Sequence, residues 1–179
     1  MNRKTFIKSS GLGLGLAFIP SITKIREGGN GLKAKVEAKI IRDHEGEVLN
    51  VIGDIQTHKL LGSDTDNQIV EWMDDVEVGV GIPPHVHSKE DEIFRVIKGE
   101  IEITVGSKTT ILRAGDMAYA PKNIPHTWKV VGTEKAKMCT TAFPAGIEHM
   151  FNELSKLPEG PPNFPVVAEI CGRYGIKFV

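Results

Sequence analysis

The strongest constraint on this chain is a run of short β-favouring stretches, each cut off by a turn before it grows long. From Val36 onward the candidate strands are 36–41, 47–52, 55–61, 69–73, 76–82, 92–98, 100–105, 109–113, 117–120, 126–131 and 136–142. Polar or glycine-bearing breaks separate many of them, at GSDTDN (62–67), KGE (98–100), VGSK (105–108) and RAGD (113–116). Short strands at this spacing have to close on themselves or stack face to face, so the pattern predicts a sandwich or barrel. The 19 glycines and 10 prolines supply the turns. At 179 residues the chain is long enough for one domain with a real core. Its formal net charge of −1 provides no field that would recruit nucleic acid or an anionic membrane.

The two ends read differently from the middle. Residues 1–20, MNRKTFIKSSGLGLGLAFIP, begin with Arg3, Lys4 and Lys8, continue through the uncharged stretch Gly11–Ile19, and stop at Pro20. That is the layout of an export signal, and the apolar stretch is far short of the roughly 20 residues a membrane span needs. NRKTFIK resembles the twin-arginine export motif with Arg3-Lys4 in place of the arginine pair. The expectation is an exported, periplasmic protein with no stable membrane span in its mature form. Residues 21–35, with Gly28, Gly29 and Gly31, read as a linker. At the other end, 144–179 reads as a helical tail. Ile147, Met150, Phe151 and Leu154 fall on one helical face, and 166–175 suits a second short helix closed by Gly175. The two cysteines, Cys139 and Cys171, either pair or stand as independent buried thiols.

The chemistry concentrates in GIPPHVHSKEDE (81–92). On a strand, residues two apart share a face, so His85 and His87 point together. Ser88 to Asp91 has no apolar alternation and reads as a bend. In the next strand, an inward Glu92 brings Phe94 and Val96 inward and leaves Arg95 outside. An inward Asp91 would instead bury the Arg95 guanidinium, which is expensive. Phase selects Glu92, and Glu90 and Asp91 are expected in solvent. A third histidine, His126, follows the rigid Pro121–Pro125 reversal and shares a strand face with Trp128. His44 and His58 have polar flanks and are expected on the surface, and His149 on a solvent or lid position of the first tail helix.

These residues resemble the two motifs of the cupin family. Gly79, His85, His87, Glu92 and Gly99 match each position of the first motif, and Gly115, Pro121 and His126 match the second. Asn123 stands at a glycine position, which asparagine tolerates because it visits left-handed turns. Val130 replaces a terminal asparagine that is not a ligand. The resemblance implies an all-β fold, a small double-stranded β-helix (jelly-roll) barrel over 36–143 with short C-terminal helices. It also implies that His85, His87, Glu92 and His126 bind one divalent first-row transition metal (Fe, Mn, Ni, Co or Zn). Phe94 and Trp128 would line the substrate pocket, with Met138 and Thr140, and Ala142 beside them.

Cupins serve several functions. The segment 143–176 resembles the tail of single-domain cupins related to quercetin and flavonol dioxygenases. That favours a dioxygenase-type oxidoreductase acting on a small aromatic or enolic substrate, with Glu92 as the catalytic base. The alternatives are a non-catalytic module binding a sugar or organic acid, and a cupin isomerase or decarboxylase. The last class needs an inward cation to hold a carboxylate, and the strand phase shows none. Related barrels dimerise by exchanging N-terminal strands, and 36–61 is the segment that would form such a homodimer.

Overall fold

The computed structural model describes residues 36–158 and 160–179; the expected signal (1–20) and linker (21–35) lie outside the described residues. Eleven strands are present among the described residues: β1 (Glu47–Val51), β2 (Asp54–Leu60), β3 (Val70–Val76), β4 (Gly81–His87), β5 (Asp91–Lys98), β6 (Glu100–Val105), β7 (Lys108–Arg113), β8 (Met117–Ala120), β9 (His126–Val131), β10 (Ala136–Phe143) and β11 (Ile176–Phe178). Two helices, α1 (Glu148–Leu154) and α2 (Phe164–Arg173), stand between β10 and β11. The strands form a six-stranded sheet, β1-β2-β3-β10-β5-β8, and a five-stranded sheet, β11-β4-β9-β6-β7, with antiparallel pairing throughout.

Alternation decides which side chains face inward. On β3, Val70, Trp72, Asp74 and Val76 are buried; on β10, Ala136, Met138, Thr140 and Ala142; on β5, Glu92, Phe94 and Val96. Register then aligns Trp72, Thr140 and Phe94 in one row across three strands, with Ala142 beside Glu92 in the next. Each large apolar side chain so buried contributes about 1.5–3 kcal/mol. The core has two clusters. One gathers Phe94, Ile101, Ile103, Trp128 and Met138 between the sheets. The other packs α1 and α2 against Val51, Val70 and Trp72. The apolar face expected of α1 is the buried one, through Met150, Phe151 and Leu154 with Ile147 just before it. Helix α2 starts near Pro165, where a missing N–H costs nothing, and ends before Gly175, which adopts φ +90°.

Three sequence expectations change. Residues 36–41 form no strand, and Val36 and Ile40 are exposed. The stretches 69–73 and 76–82 are re-divided: β3 runs on to Val76, because Asp74 points inward and is hydrogen-bonded there, and β4 starts only at Gly81. His58, expected on the surface, is buried: it shares the inner face of β2 with Asp54 and Gln56, while its polar neighbours Thr57 and Lys59 take the other face. Its ring stacks on Trp72 at 6.2 Å and meets Phe151 edge-on at 5.8 Å.

A buried polar stripe crosses the six-stranded sheet. His58 Nε2 lies 3.1 Å from Gln56 Oε1, and Gln56 Nε2 donates to Asp54 Oδ2 at 2.8 Å. Trp72 Nε1 and Thr140 Oγ1 each donate to Asp74 at 2.6 Å. The Asp54 and Asp74 carboxyls are close enough for each to act on the ionisation of the other. Two neighbouring carboxyls out of water resist ionising together. Burial first, and then the neighbouring charge of Asp54, hold the Asp74 carboxyl well above its ordinary value of 3.8.

A raised acid favours the fold below its unfolded pKa and loses that contribution as pH rises toward the folded value. The variant Asp74→Asn keeps the hydrogen-bonding shape of the protonated acid without the penalty. Urea denaturation from the ordinary Asp value of 3.8 to neutrality is expected to show Asp74→Asn gaining on the wild type as pH rises. One proton limits the slope to about 1.4 kcal/mol per pH unit. A gap independent of pH would show that Asp74 is ionised in the fold.

Candidate metal centre

The pairing of β4 with β9 brings His85 directly opposite His126, and His87 lies two residues further along the same face. Strand β4 approaches β9 closely at Gly81, where a Cβ would lie 2.2 Å from the Trp128 carbonyl oxygen. The reversal before β9 is docked onto β4 as well. Asn123 takes φ +65°, the left-handed conformation expected of it, and its N–H donates to the His87 carbonyl at 2.7 Å. Glu92 comes from β5 in the other sheet. The ring centroids of His85 and His126 are 4.3 Å apart, those of His85 and His87 5.0 Å, and those of His87 and His126 5.2 Å. One donor atom from each of His85, His87, Glu92 and His126 falls within 4.8 Å of the other three, and all four residues are buried.

Hydrogen bonds behind the rings orient them. His85 Nδ1 lies 2.9 Å from the Pro83 carbonyl and His126 Nδ1 3.2 Å from that of Ile124. Each Nδ1–H is thereby committed to backbone, leaving Nε2 as the free ligand atom. Glu92 Oε2 lies 2.9 Å from His126 Nε2 and 3.4 Å from His87 Nε2. Behind His87 the partner is Glu90, whose Oε2 lies 3.4 Å from Nδ1; neither atom has a hydrogen-bond partner at that separation. Glu90 was expected in solvent and is instead 4% exposed. The bend after Ser88 turns it back under His87, three residues away, and a carboxylate that orients a ligand histidine left no signal in strand phase. Asp91 takes the rim, accepting from the Lys122 amide at 2.7 Å and the Tyr119 hydroxyl at 3.1 Å.

The electrostatics suit a cation. Burial, then the neighbouring charge of His126, pushes the His85 pKa down to about 4, so its imidazole is neutral and ready to ligate at ordinary pH. Burial alone would raise Glu92, but His87 and His126 hold it below its usual value, so it stays a carboxylate. Three imidazole nitrogens and one carboxylate, desolvated together, are balanced well by one divalent ion. The donor set therefore fits the group that the sequence motifs imply.

This centre opens into a cavity of about 320 Å³. Phe94, Trp128 and Thr140 line it. Met138 is not among the lining residues: it shares the inward face of Thr140 but sits one residue pair further along β10, packed with Val96 and Ile101. Ala142 is buried against Val70 and Trp72 in the other cluster. Residues that the sequence reading did not assign complete the wall. Asp54, Gln56, Trp72 and Asp74 come from the polar stripe, and Ile147, Met150, Phe151 and Val167 from the helical tail. Strand β11 joins the tail to the centre by pairing Ile176 with His87 and Phe178 with His85. No lysine or arginine lines the cavity among the described residues. His149 and His44 are exposed, and Cys139 and Cys171 are free thiols, the former only partly buried.

Two antiparallel sheets closing around an inward His3Glu cluster define a cupin barrel, and the Cupin_2 family model, Cupin domain, matches residues 72–143. The chain belongs to the cupin family. It is 30% identical over 90 residues to the pectin degradation protein KdgF of Dickeya dadantii (strain 3937), an alignment covering 46% of this chain and 80% of that protein. It is also 30% identical over 77 residues to a quercetin 2,3-dioxygenase of Aspergillus japonicus, covering 40% of this chain but 22% of that enzyme. Among solved structures, KdgF from Halomonas sp. superposes with a TM-score of 0.55 at 18% identity, over 63% of this chain and 99% of that one. That likeness is one of fold.

Elemental analysis of purified protein is expected to find about one first-row metal per chain, lost in a His85→Ala/His126→Ala variant. Glu90→Gln is expected to bind that metal about tenfold more weakly while keeping the native circular dichroism spectrum. Metal retained by the double variant would overturn the ligand assignment.

Proposed function

We propose that this protein is a metal-dependent cupin dioxygenase acting on a small aromatic or enolic substrate. The observation that carries the reading is the cavity itself: a His3Glu cluster in a wall made mostly of aromatic and aliphatic side chains, with no lysine or arginine among its described lining residues. A carboxylate substrate, as an isomerase or decarboxylase would take, has no lysine or arginine there to hold it. A flat, largely apolar substrate finds Phe94, Trp72 and Trp128. The similarity to a quercetin 2,3-dioxygenase supports the same class.

In this reading His85, His87, Glu92 and His126 hold one divalent first-row metal, which supplies Lewis acidity and a path for electrons when bound. The protein's own groups do the rest. Glu92, kept ionised by its histidine neighbours, accepts the proton of the substrate's enol or phenol hydroxyl. The aromatic walls orient the ring, and the helical tail with Ile147, Met150 and Phe151 keeps water from the reacting face. The N-terminal sequence supports export to the periplasm by a twin-arginine-like route.

Oxygen-electrode assays of protein reconstituted with Fe, Mn, Ni or Co, against flavonols, diketones and catechols, are expected to show uptake. Glu92→Gln should reduce it by about 10²-fold or more. Absence of uptake with every metal, with substrate binding intact, would make the protein a binding module instead. Fusing residues 1–35 to a reporter active only after folded translocation is expected to deliver it to the periplasm; cytoplasmic retention would refute the export reading.

A further inference from the structure

One residue on the cavity wall is held in a conformation that its type avoids. Ile52 and Gly53 form the two-residue loop of the β1–β2 hairpin, closed by the pairing of Val51 with Asp54. Their φ values are +55° and +92°, so both occupy the left-handed region that such a tight loop demands. Glycine enters that region freely, whereas a side chain branched at Cβ crowds the carbonyl that follows it. The other non-glycine residues with positive φ among the described residues are Asp66, Asn67 and Asn123, the types that tolerate it. Asparagine before glycine is the ordinary choice for this loop. Asn50 accepts the Gly53 amide at 2.9 Å, so the turn is well made apart from the residue at its first position. Strain of this kind gathers at ligand clamps.

The place of Ile52 suits such a use. It lines the cavity of the histidine cluster and is also 37% exposed, so it stands where the cavity meets solvent. Three other described lining residues are exposed: Pro83 on β4, Pro162 in the loop before α2, and Phe164 at the start of α2. All four are apolar. The Phe164 ring meets that of Phe178 at 4.9 Å, and Phe178 lies 6.3 Å from the ring of His85. Apolar side chains thus continue from the mouth of the cavity to the metal centre.

We propose that Ile52 is a specificity-determining residue: with Pro83, Pro162 and Phe164 it forms an apolar collar that grips the outer end of an elongated ligand whose enol or phenol oxygen lies at the histidine cluster. The collar deepens the proposed function and rests on it, since its ligand occupies the same cavity. What it adds is the chemistry of the far end, an uncharged second ring or branched aliphatic group. A short ligand reaches the histidines and leaves the collar empty. A ligand with a charged outer end loses water against four apolar side chains and gains no partner.

Two enolisable β-diketones with the same polar head provide the test: benzoylacetone, with one ring, and dibenzoylmethane, with two. Binding to the metal-loaded full chain is read by anaerobic isothermal titration calorimetry, and stability by urea denaturation. In the wild type the second ring is expected to tighten binding by about tenfold, the range for burying part of an aromatic ring. Ile52→Asn should bring the two ligands within about threefold. Its urea midpoint should not fall, because asparagine suits the left-handed position. Ile52→Gly, which relieves the same strain without adding a polar group, should behave alike. The proposal is overturned if the wild type gains nothing from the second ring, or if either variant keeps the gain. It is also overturned if the urea midpoint falls along with binding, which would give Ile52 a structural role. These outcomes are separate from the oxygenase reading. A gain that depends on Ile52 without oxygen uptake leaves the collar standing and removes the dioxygenase, and uptake without the gain does the reverse.

Discussion

The pairing of β4 with β9 is the contact on which the rest of the site depends. It sets His85 opposite His126, and the same strand carries His87 two residues on. Four ionisable groups thereby leave water together, which no barrel of this size tolerates unless their charges are balanced. The backbone carbonyls of Pro83 and Ile124 help to balance them by fixing two tautomers, and Glu90 stands behind the third ring. The closeness of β4 to β9 at Gly81 and the left-handed turn at Asn123 are the local devices that hold the two strands in this register.

The helical tail makes the centre into a site. Without α1 and α2, the cluster would face an open barrel mouth; with them, Ile147, Met150, Phe151 and Val167 close one side of the cavity. Strand β11 then ties the end of the tail to β4, backbone to backbone with the histidine strand. The tail is therefore coupled to the orientation of His85 and His87 as well as to the exclusion of water. Across the cavity the wall is unexpectedly acidic. The stripe from His58 to Asp74 keeps polar groups buried at a cost that simple packing would avoid.

Much of this was legible in the residues. Period-two alternation located most strands, the spacing of glycine and histidine identified the family, and phase alone chose Glu92 over Asp91 because the alternative buried Arg95. The readings that differ from the structure have local causes. His58 was placed on the surface by its polar neighbours in sequence, whereas strand geometry makes residue i±2, not i±1, the neighbour on a face. Glu90 was judged by the bend it occupies, and a bend can return a side chain to the interior as easily as expose it. Met138 had the right parity but sat one row too far along β10 to reach the cavity.

Sequence by itself carried the class of fold, through the alternation and spacing of its strands, and through its resemblance to the cupin motifs it singled out the four residues that the structure brings together. Tertiary structure decided what surrounds them: the tail that covers the cavity, Glu90 behind His87, and the nearness of Asp54 to Asp74. Those depend on which strands lie side by side and in what register. Two acids twenty positions apart become buried neighbours only when β2 and β3 align. Linear spacing carries no record of that, since the energy that brings them together belongs to the packing of the whole sheet.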